Sequence, residues 1–513
     1  MIIDTVVQFF PRGGSAQVIR YLSEQLTGRG HTSRILCGSL GQPGDFSHAP
    51  TFYAGMDIGP MDYNPAANAY ARGYSGMDDQ RAPFHPSYED RGPTAPDRMF
   101  TAIPPHTIDH LVNAWARHLK SGRNDRSDVV HVHHLSHLQQ AVAHAYPGVP
   151  RITTFHGTDL KLLDQAQAMT SLAREVCLSP AVLADACRNR LLARLLDAAR
   201  LTDEQRERIG AIDWPHWAYA DAWADSMRDH VRRAGRIVVV SGSDQVEVNR
   251  LLHVPREAIT VIPNGVDTSR FMPKRLTADQ RLAHLRRWLI DDPKGWLPGR
   301  QPGSIRYDSL APMLTADGGL RPAILWVGRF QQVKRLDVLL EAFAATLKKA
   351  DPQPVLLLWG GYPGEVEGDH PRTIARRLGI DQHVYFVGWR GHDELPDGLN
   401  CADLMAAPAV NESFGMVYIE AAACGVPSIA TNTGGPASLI TAHGPDADGW
   451  LVKPDDPHNL AVTLAAALAD PAERLRRAIN GVEKVRRGYA WSRVADQYQE
   501  VYEDERRSAD STR

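Results

Sequence analysis

Residues 323–343 read AILWVGRFQQVKRLDVLLEAF. Six residues without a charge end at Gly328, the cations Arg329, Lys334 and Arg335 follow, and an apolar stripe of helical spacing begins near Leu336. That order is a buried strand, a tight turn and a crossover helix, the repeating unit of a parallel sheet. Four more apolar runs extend it downstream: PVLLLWGG (354–361), HVYFVGW (383–389), DLMAAPA (403–409) and PSIATN (427–432), with helical segments between them and after them to about 506. Upstream the same alternation recurs in MIIDTVVQF (1–9), the helix 15–31, TSRILCG (32–38), DVVHVHH (128–134), RITTFHG (151–157), RIVVVSG (236–242) and AITVIPNGVD (258–267).

The fold class this predicts is α/β, with two doubly wound Rossmann-like domains. The expected boundaries are an N-terminal domain 1–265, a linker or insertion 266–322, a second domain 323–490, and a C-terminal helix 491–513 returning towards the first domain. Two stretches break the alternation and read as insertions in the first domain: 39–105, rich in Gly, Pro, Tyr, Met and Asp, and 165–230, helical and holding Trp214, Trp217 and Trp223. A ligand is expected at the carboxyl ends of the strands, in the cleft between the domains.

The chain has 513 residues and a formal charge of −3, which argues against a protein that coats nucleic acid. No run of about 18 apolar residues occurs, so a transmembrane helix is not expected. The first residues carry Asp4 inside an apolar run and no basic leader, the pattern of a strand instead of a signal peptide. Cys37, Cys177, Cys187, Cys401 and Cys424 are scattered without a C-x-x-C pair, which fits reduced core thiols and a cytoplasmic setting.

Gly13 and Gly14 lie between the first strand and its helix, where backbone N–H groups can approach a phosphate, or where they only make a turn. The dinucleotide pattern G-x-G-x-x-G is absent there, which disfavours hydride transfer. Gly328 ends its strand, and Arg329 and Lys334 follow it; a forked guanidinium and a mobile ammonium at the mouth of a sheet suit a diphosphate. In NESFGMVYIE (411–420) a helix is expected to start near Phe414, Gly415 or Met416, its N–H groups open to phosphate oxygens. Glu412 stands at the tip and Glu420 about a turn and a half in. An ionised carboxylate only accepts, which suits the vicinal hydroxyls of a sugar. In HVHH, His131 and His133 share a strand face; substrate contact or packing is the expectation, and no metal is assigned.

The second half resembles the nucleotide-sugar domain of retaining GT-B glycosyltransferases, in particular glycosyltransferase family 4. Two glutamates with seven residues between them, here Glu412 and Glu420, are that family's signature, and G-R-F-x-x-x-K matches its diphosphate-binding pair at Arg329 and Lys334. P-N-G-V-D (263–267) fits the handover between domains. The order of VGWRGHDELPDGLNCADLMAAPA (387–409) places a nucleobase near Val387, Gly388, Trp389 and Arg390. FHGTDL (155–160) matches the strand-end histidine, so His156 is implied near the transferring carbon, with His133 and Asp159 as further acceptor-side candidates. Both insertions fall outside the resemblance.

What the resemblance implies is transfer of a sugar from a nucleoside-diphosphate sugar, UDP or GDP first, to a small soluble acceptor, with no metal or other cofactor and Arg329, Lys334, Glu412 and His156 in catalysis. No nucleophile stands out, so same-face attack with retention is expected. Natural-product assembly is the setting suggested by chain size, the bias towards arginine and the insertions, with no motif behind it. The rivals are an epimerase or phosphorylase on the same fold and a non-catalytic nucleotide-sugar sensor. A lipid-linked acceptor is a further alternative, because 184–201 reads as a basic amphipathic helix able to touch a membrane surface.

Overall fold

The computed structural model describes residues 1–9, 11, 13–73, 83–89, 97–121, 127–199 and 201–511. The chain divides into two units, Met1–Ile262 with Ala495–Arg513, and Pro263–Val494.

In the first unit the strands of the main sheet are β1 (Ile2–Val7), β2 (Thr32–Ser39), β3 (Asp57–Asp62), β4 (Val129–His133), β5 (Arg151–Phe155), β6 (Arg236–Val239) and β7 (Ile259–Val261). They form one parallel sheet in the order β3-β2-β1-β4-β5-β6-β7. Asp4, the charge inside the first apolar run, is fully buried there. Arg34, its partner in register on β2, reaches it at 2.8 and 2.9 Å, and the hydroxyls of Ser127 and Tyr146 donate to it at 2.6 and 2.7 Å. A buried carboxylate with this many donors is compensated for the water it loses.

The stretch 39–105 is not wholly an insertion, because β3 lies inside it and extends the sheet. DIGPMD is an edge strand, largely exposed, so it carries no apolar run to betray it. The parts 74–82 and 90–96 lie outside the described residues. The stretch 165–230 is helical as expected, and Leu172, Val176, Leu183, Leu196, Ile209 and Trp214 close a small core of their own. Within it 184–201 is not one amphipathic helix. Pro180–Arg188 and Leu192–Ala198 are separate, with Arg190 at φ +58° between them, and Leu183, Ala184 and Leu196 are buried in that core.

The second unit's strands are β8 (Ala323–Gly328), β9 (Val355–Gly360), β10 (Val384–Gly388), β11 (Leu404–Ala407), β12 (Ser428–Thr431) and β13 (Gly449–Val452), all parallel, in the order β10-β9-β8-β11-β12-β13. The chain first builds outward on one side of β8, then reverses across β11. Residues 266–322 are part of this unit, not a linker: Trp288, Leu289, Trp296, Ile305 and Met313 are buried in it. Gly295 and Gly388 let this segment lie against β10, since a Cβ at Gly388 would stand 2.3 Å from the Lys294 carbonyl oxygen.

The helix Trp491–Ser511 carries the chain back to the first unit. There Tyr498 and Tyr502 are buried, the Tyr502 hydroxyl lying 2.8 Å from His131 Nδ1. No helix among the described residues is long and apolar enough to cross a membrane.

Candidate functional site

In a doubly wound sheet the crevice opens where the strand order reverses. In the second unit that point lies between β8 and β11, and Arg329 and Lys334 follow the first of these strands while Glu412 follows the second. β8 ends at Gly328, whose carbonyl accepts from Gly361 N at 3.0 Å. Arg329 follows, half-buried, and a single 3₁₀ turn, Gln332–Lys334, leads to Arg335 at φ +47° and the helix Leu336–Leu347. From β11 the chain runs to Glu412, and Val410 N donates to Val333 O at 2.8 Å, tying the two loops together. The Lys334 ammonium and the Glu412 carboxylate form an ion pair between them.

Gly415, at φ +88°, caps the helix Met416–Ala423, and no side chain caps that end. Its first N–H groups are therefore the open, positive end of the helix dipole. Glu420 sits on the second turn with only 4% of its surface exposed. His392, from the loop after β10, lies 2.7 Å from its Oε1 through Nε2. Behind the site, Gly434 and Gly435 hold the loop in place: Gly435 N donates to Glu412 O at 2.7 Å, and a Cβ at Gly435 would lie 2.5 Å from Ser413 O.

Three sequence candidates present only backbone. Val387 is fully buried, and Phe414 is a core ring facing Tyr489 at 6.3 Å. The Arg390 side chain is turned into the fold. Its guanidinium is buried and bonded to Trp288 O at 2.9 Å and Asp292 Oδ2 at 3.0 Å, so it pins the 288–292 segment and is not offered to a base. Trp389 is partly exposed, its ring 6.4 Å from that of Tyr362, and Met416 is half-buried at the helix start. His392 was missed, since nothing about a histidine in G-H-D-E marks it as the partner of a glutamate 28 residues on.

In the first unit the corresponding reversal lies between β1 and β4. Gly13 caps the helix Gly14–Gly28 in an extended conformation, again without a side-chain cap. His133 ends β4 and His156 follows β5; their rings stack at 5.1 Å and 14°, with His133 Nδ1 and His156 Nε2 2.8 Å apart. Burial, reinforced by neighbouring histidines, holds both well below the ordinary imidazole range. Neutral rings each carry one donor and one acceptor, so the bond couples their tautomers.

His131 is committed elsewhere, to Thr154 Oγ1 and Tyr502 OH at 2.8 Å each. Asp159 is likewise structural: it accepts from Leu135 N at 2.8 Å and Leu160 N at 3.1 Å, and 2% of it is exposed. His134, which sequence reading passed over, takes φ +69° and brings its Nε2 3.1 Å from Ser15 Oγ at the first helix.

Comparison with known proteins places this geometry. A family model described as Glycosyltransferase Family 4 matches residues 12–270, about half of the chain and across both irregular stretches, and one described as Glycosyl transferases group 1 matches 319–485. A D-inositol 3-phosphate glycosyltransferase of Catenulispora acidiphila is 32% identical over 278 residues, 53% of this chain and 56% of that protein. One from Salinispora tropica is 36% identical over 185 residues, 35% of this chain and 37% of that one. The chain spans about half the length, or less, of the curated relatives it matches. Among solved structures, Anabaena HepE in complex with UDP and glucose aligns with a TM-score of 0.58 at 16% identity, over 97% of this chain and 98% of that one. A sucrose-phosphate synthase from Thermosynechococcus elongatus aligns at 0.58 and 20% identity, over 98% of both. These structural likenesses establish the fold, two Rossmann-like units of the GT-B class. With both halves matched in order, and the paired glutamates at the reversal of the second sheet, the chain belongs to glycosyltransferase family 4.

Proposed function

We propose that this protein is a retaining glycosyltransferase that takes a sugar from a nucleoside-diphosphate sugar and passes it to a small soluble acceptor. The observation that carries the reading is the grouping at the β8/β11 reversal: Arg329 and Lys334 after one strand, Glu412 and an uncapped helix N-terminus after the other, and Glu420 buried one turn on. Expelling a nucleoside diphosphate builds negative charge on the leaving phosphate. Arg329, Lys334 and the N–H groups of residues 415–417 face that charge, and one preorganised donor of this kind is worth about 3 kcal/mol of barrier. Glu412 holds Lys334 in place until the sugar's hydroxyls compete for its oxygens, and Glu420 takes the ribose.

Because side chains and a helix end supply the positive charge, the transfer is proposed to need no metal. No carboxylate is assigned as a nucleophile beneath the sugar, so the anomer is retained by same-face attack, with the departing phosphate taking the acceptor's proton. The neutral His133–His156 pair is assigned to the acceptor side. Relatives named for D-inositol 3-phosphate support a polyol or polyol phosphate as acceptor more than a natural-product scaffold or a lipid-linked sugar.

The test is thermal-shift titration with UDP, GDP, ADP and dTDP, with and without chelator, followed by turnover of the matching nucleotide sugars on polyol acceptors. A ligand at a hundred times its dissociation constant adds about 2.7 kcal/mol of stability. One nucleotide stabilising the wild type but not Glu420→Ala, and a product of unchanged anomeric configuration by NMR, support the proposal. No response to any nucleotide, or an inverted anomer, overturns it.

A further inference from the structure

We propose that His392 is the positioning residue that turns Glu420 into a ribose clamp, and so sets this protein's preference for ribonucleotides over 2′-deoxyribonucleotides. The inference rests on the nucleotide-sugar reading above and concerns the same site.

A carboxylate buried on the second turn of an apolar helix is costly, and an apolar residue of similar size there is commonly neutral or stabilising. Glu420 has an asymmetric environment. Oε1 lies 2.7 Å from His392 Nε2, whereas Oε2 takes no hydrogen bond among the described residues. The imidazole is itself held, with the Phe271 ring 5.0 Å away at 43° and Phe271 buried. A single N–H on one oxygen fixes the carboxylate plane and leaves the other oxygen, with the outer lone pair of the first, to accept from two adjacent hydroxyls. A vicinal diol is the ligand chemistry that matches two acceptors about 2.2 Å apart. Without the imidazole the carboxylate loses its fixed orientation, so a ribose gains little over a deoxyribose. In this arrangement the diphosphate is gripped by Arg329 and Lys334, outside the influence of His392, and overall nucleotide affinity and ribose preference become separable.

The experiment is isothermal titration of the full chain with UDP, GDP and ADP and with their 2′-deoxy counterparts, for wild type, His392→Leu, His392→Gln and Lys334→Ala. The wild type should prefer the ribonucleotide it binds by about tenfold or more, the worth of one hydrogen bond to a charged group. His392→Leu should bring that ratio to within about threefold with affinity for the deoxynucleotide unchanged, which also shows that the site is folded. His392→Gln, whose amide N–H₂ reaches as far as Nε2, should restore the preference, while Lys334→Ala should weaken both nucleotides alike. A wild-type ratio retained in His392→Leu overturns the inference, as does an equal loss of both nucleotides there. Equal binding of ribo- and deoxynucleotides by the wild type overturns it and leaves the diphosphate reading standing. No binding by the wild type overturns both.

Discussion

Lys334 and Glu412, 78 residues apart in the chain, meet as an ion pair across the point where the strand order of the second sheet reverses. The pair is partly exposed, with about a quarter and a fifth of the two side chains accessible. Such a pair contributes about 0–1 kcal/mol to folding. Its removal should therefore separate chemistry from stability. Lys334→Ala is expected to lower turnover by about 10²- to 10³-fold, with a melting shift of no more than about 4 °C. Steady-state rates and a melting curve on the same preparation check it.

Gly435 leaves no room for a side chain, since a Cβ would stand 2.5 Å from Ser413 O and 2.6 Å from Phe414 Cα. Gly435→Ala should push the Glu412–Phe414 loop outward. Transfer activity is expected to fall at least tenfold, roughly the cost of misplacing one catalytic group, while the far-UV circular dichroism stays that of the wild type.

Arg390 tests the opposite case, a residue whose side chain the fold uses for itself. Arg390→Leu removes donors to Trp288 O and Asp292 and should destabilise the second unit by about 2–3 kcal/mol. Urea unfolding should show the loss. Nucleotide preference measured well below the transition should be unchanged.

The first unit should weaken on acidification. His131 and His137 are pushed down to about 3 and His230 to about 4, by burial first in each case. Between those values and the ordinary 6.5 the unfolded chain binds more protons than the folded one. Stability therefore rises with pH through this window and is lost as pH falls from about 6.5 towards 4, by up to about 1.4 kcal/mol per pH unit for each such group. Among the described residues neither ring nitrogen of His137 has a hydrogen-bond partner. His137→Leu is expected to raise the melting temperature at pH 5 and to flatten its pH dependence.

Tyr502 reaches His131 from 371 residues away and anchors the C-terminal helix to β4. Tyr502→Phe leaves a buried ring nitrogen unpaired and should cost about 1–3 kcal/mol. Limited proteolysis should then cut within 495–511 faster than in the wild type.

Much of the architecture was legible because it is written in local periods. Buried parallel strands on both halves, from MIIDTVVQF to PSIATN, announce themselves as continuous apolar runs, and the turns after Gly328 and before Met416 follow from residues within a few positions of each other. β3 escaped because an exposed edge strand needs no apolar run, and 266–322 escaped because its tryptophans are spaced for a partner surface and not for a helix or a strand.

The functional candidates divide along the same line. Sequence spacing by itself determined that Glu412 and Glu420 flank a helix start and that cations follow β8, since a helix turn and a strand end are short-range geometry. Only the tertiary structure decided that Glu420 answers to His392, that Asp159 and Arg390 serve the fold, and that His131 belongs to Tyr502. Those assignments depend on which loops the order of parallel strands brings side by side. A side chain's partner is chosen by that long-range register, and the local pattern of apolar and polar residues carries no record of it.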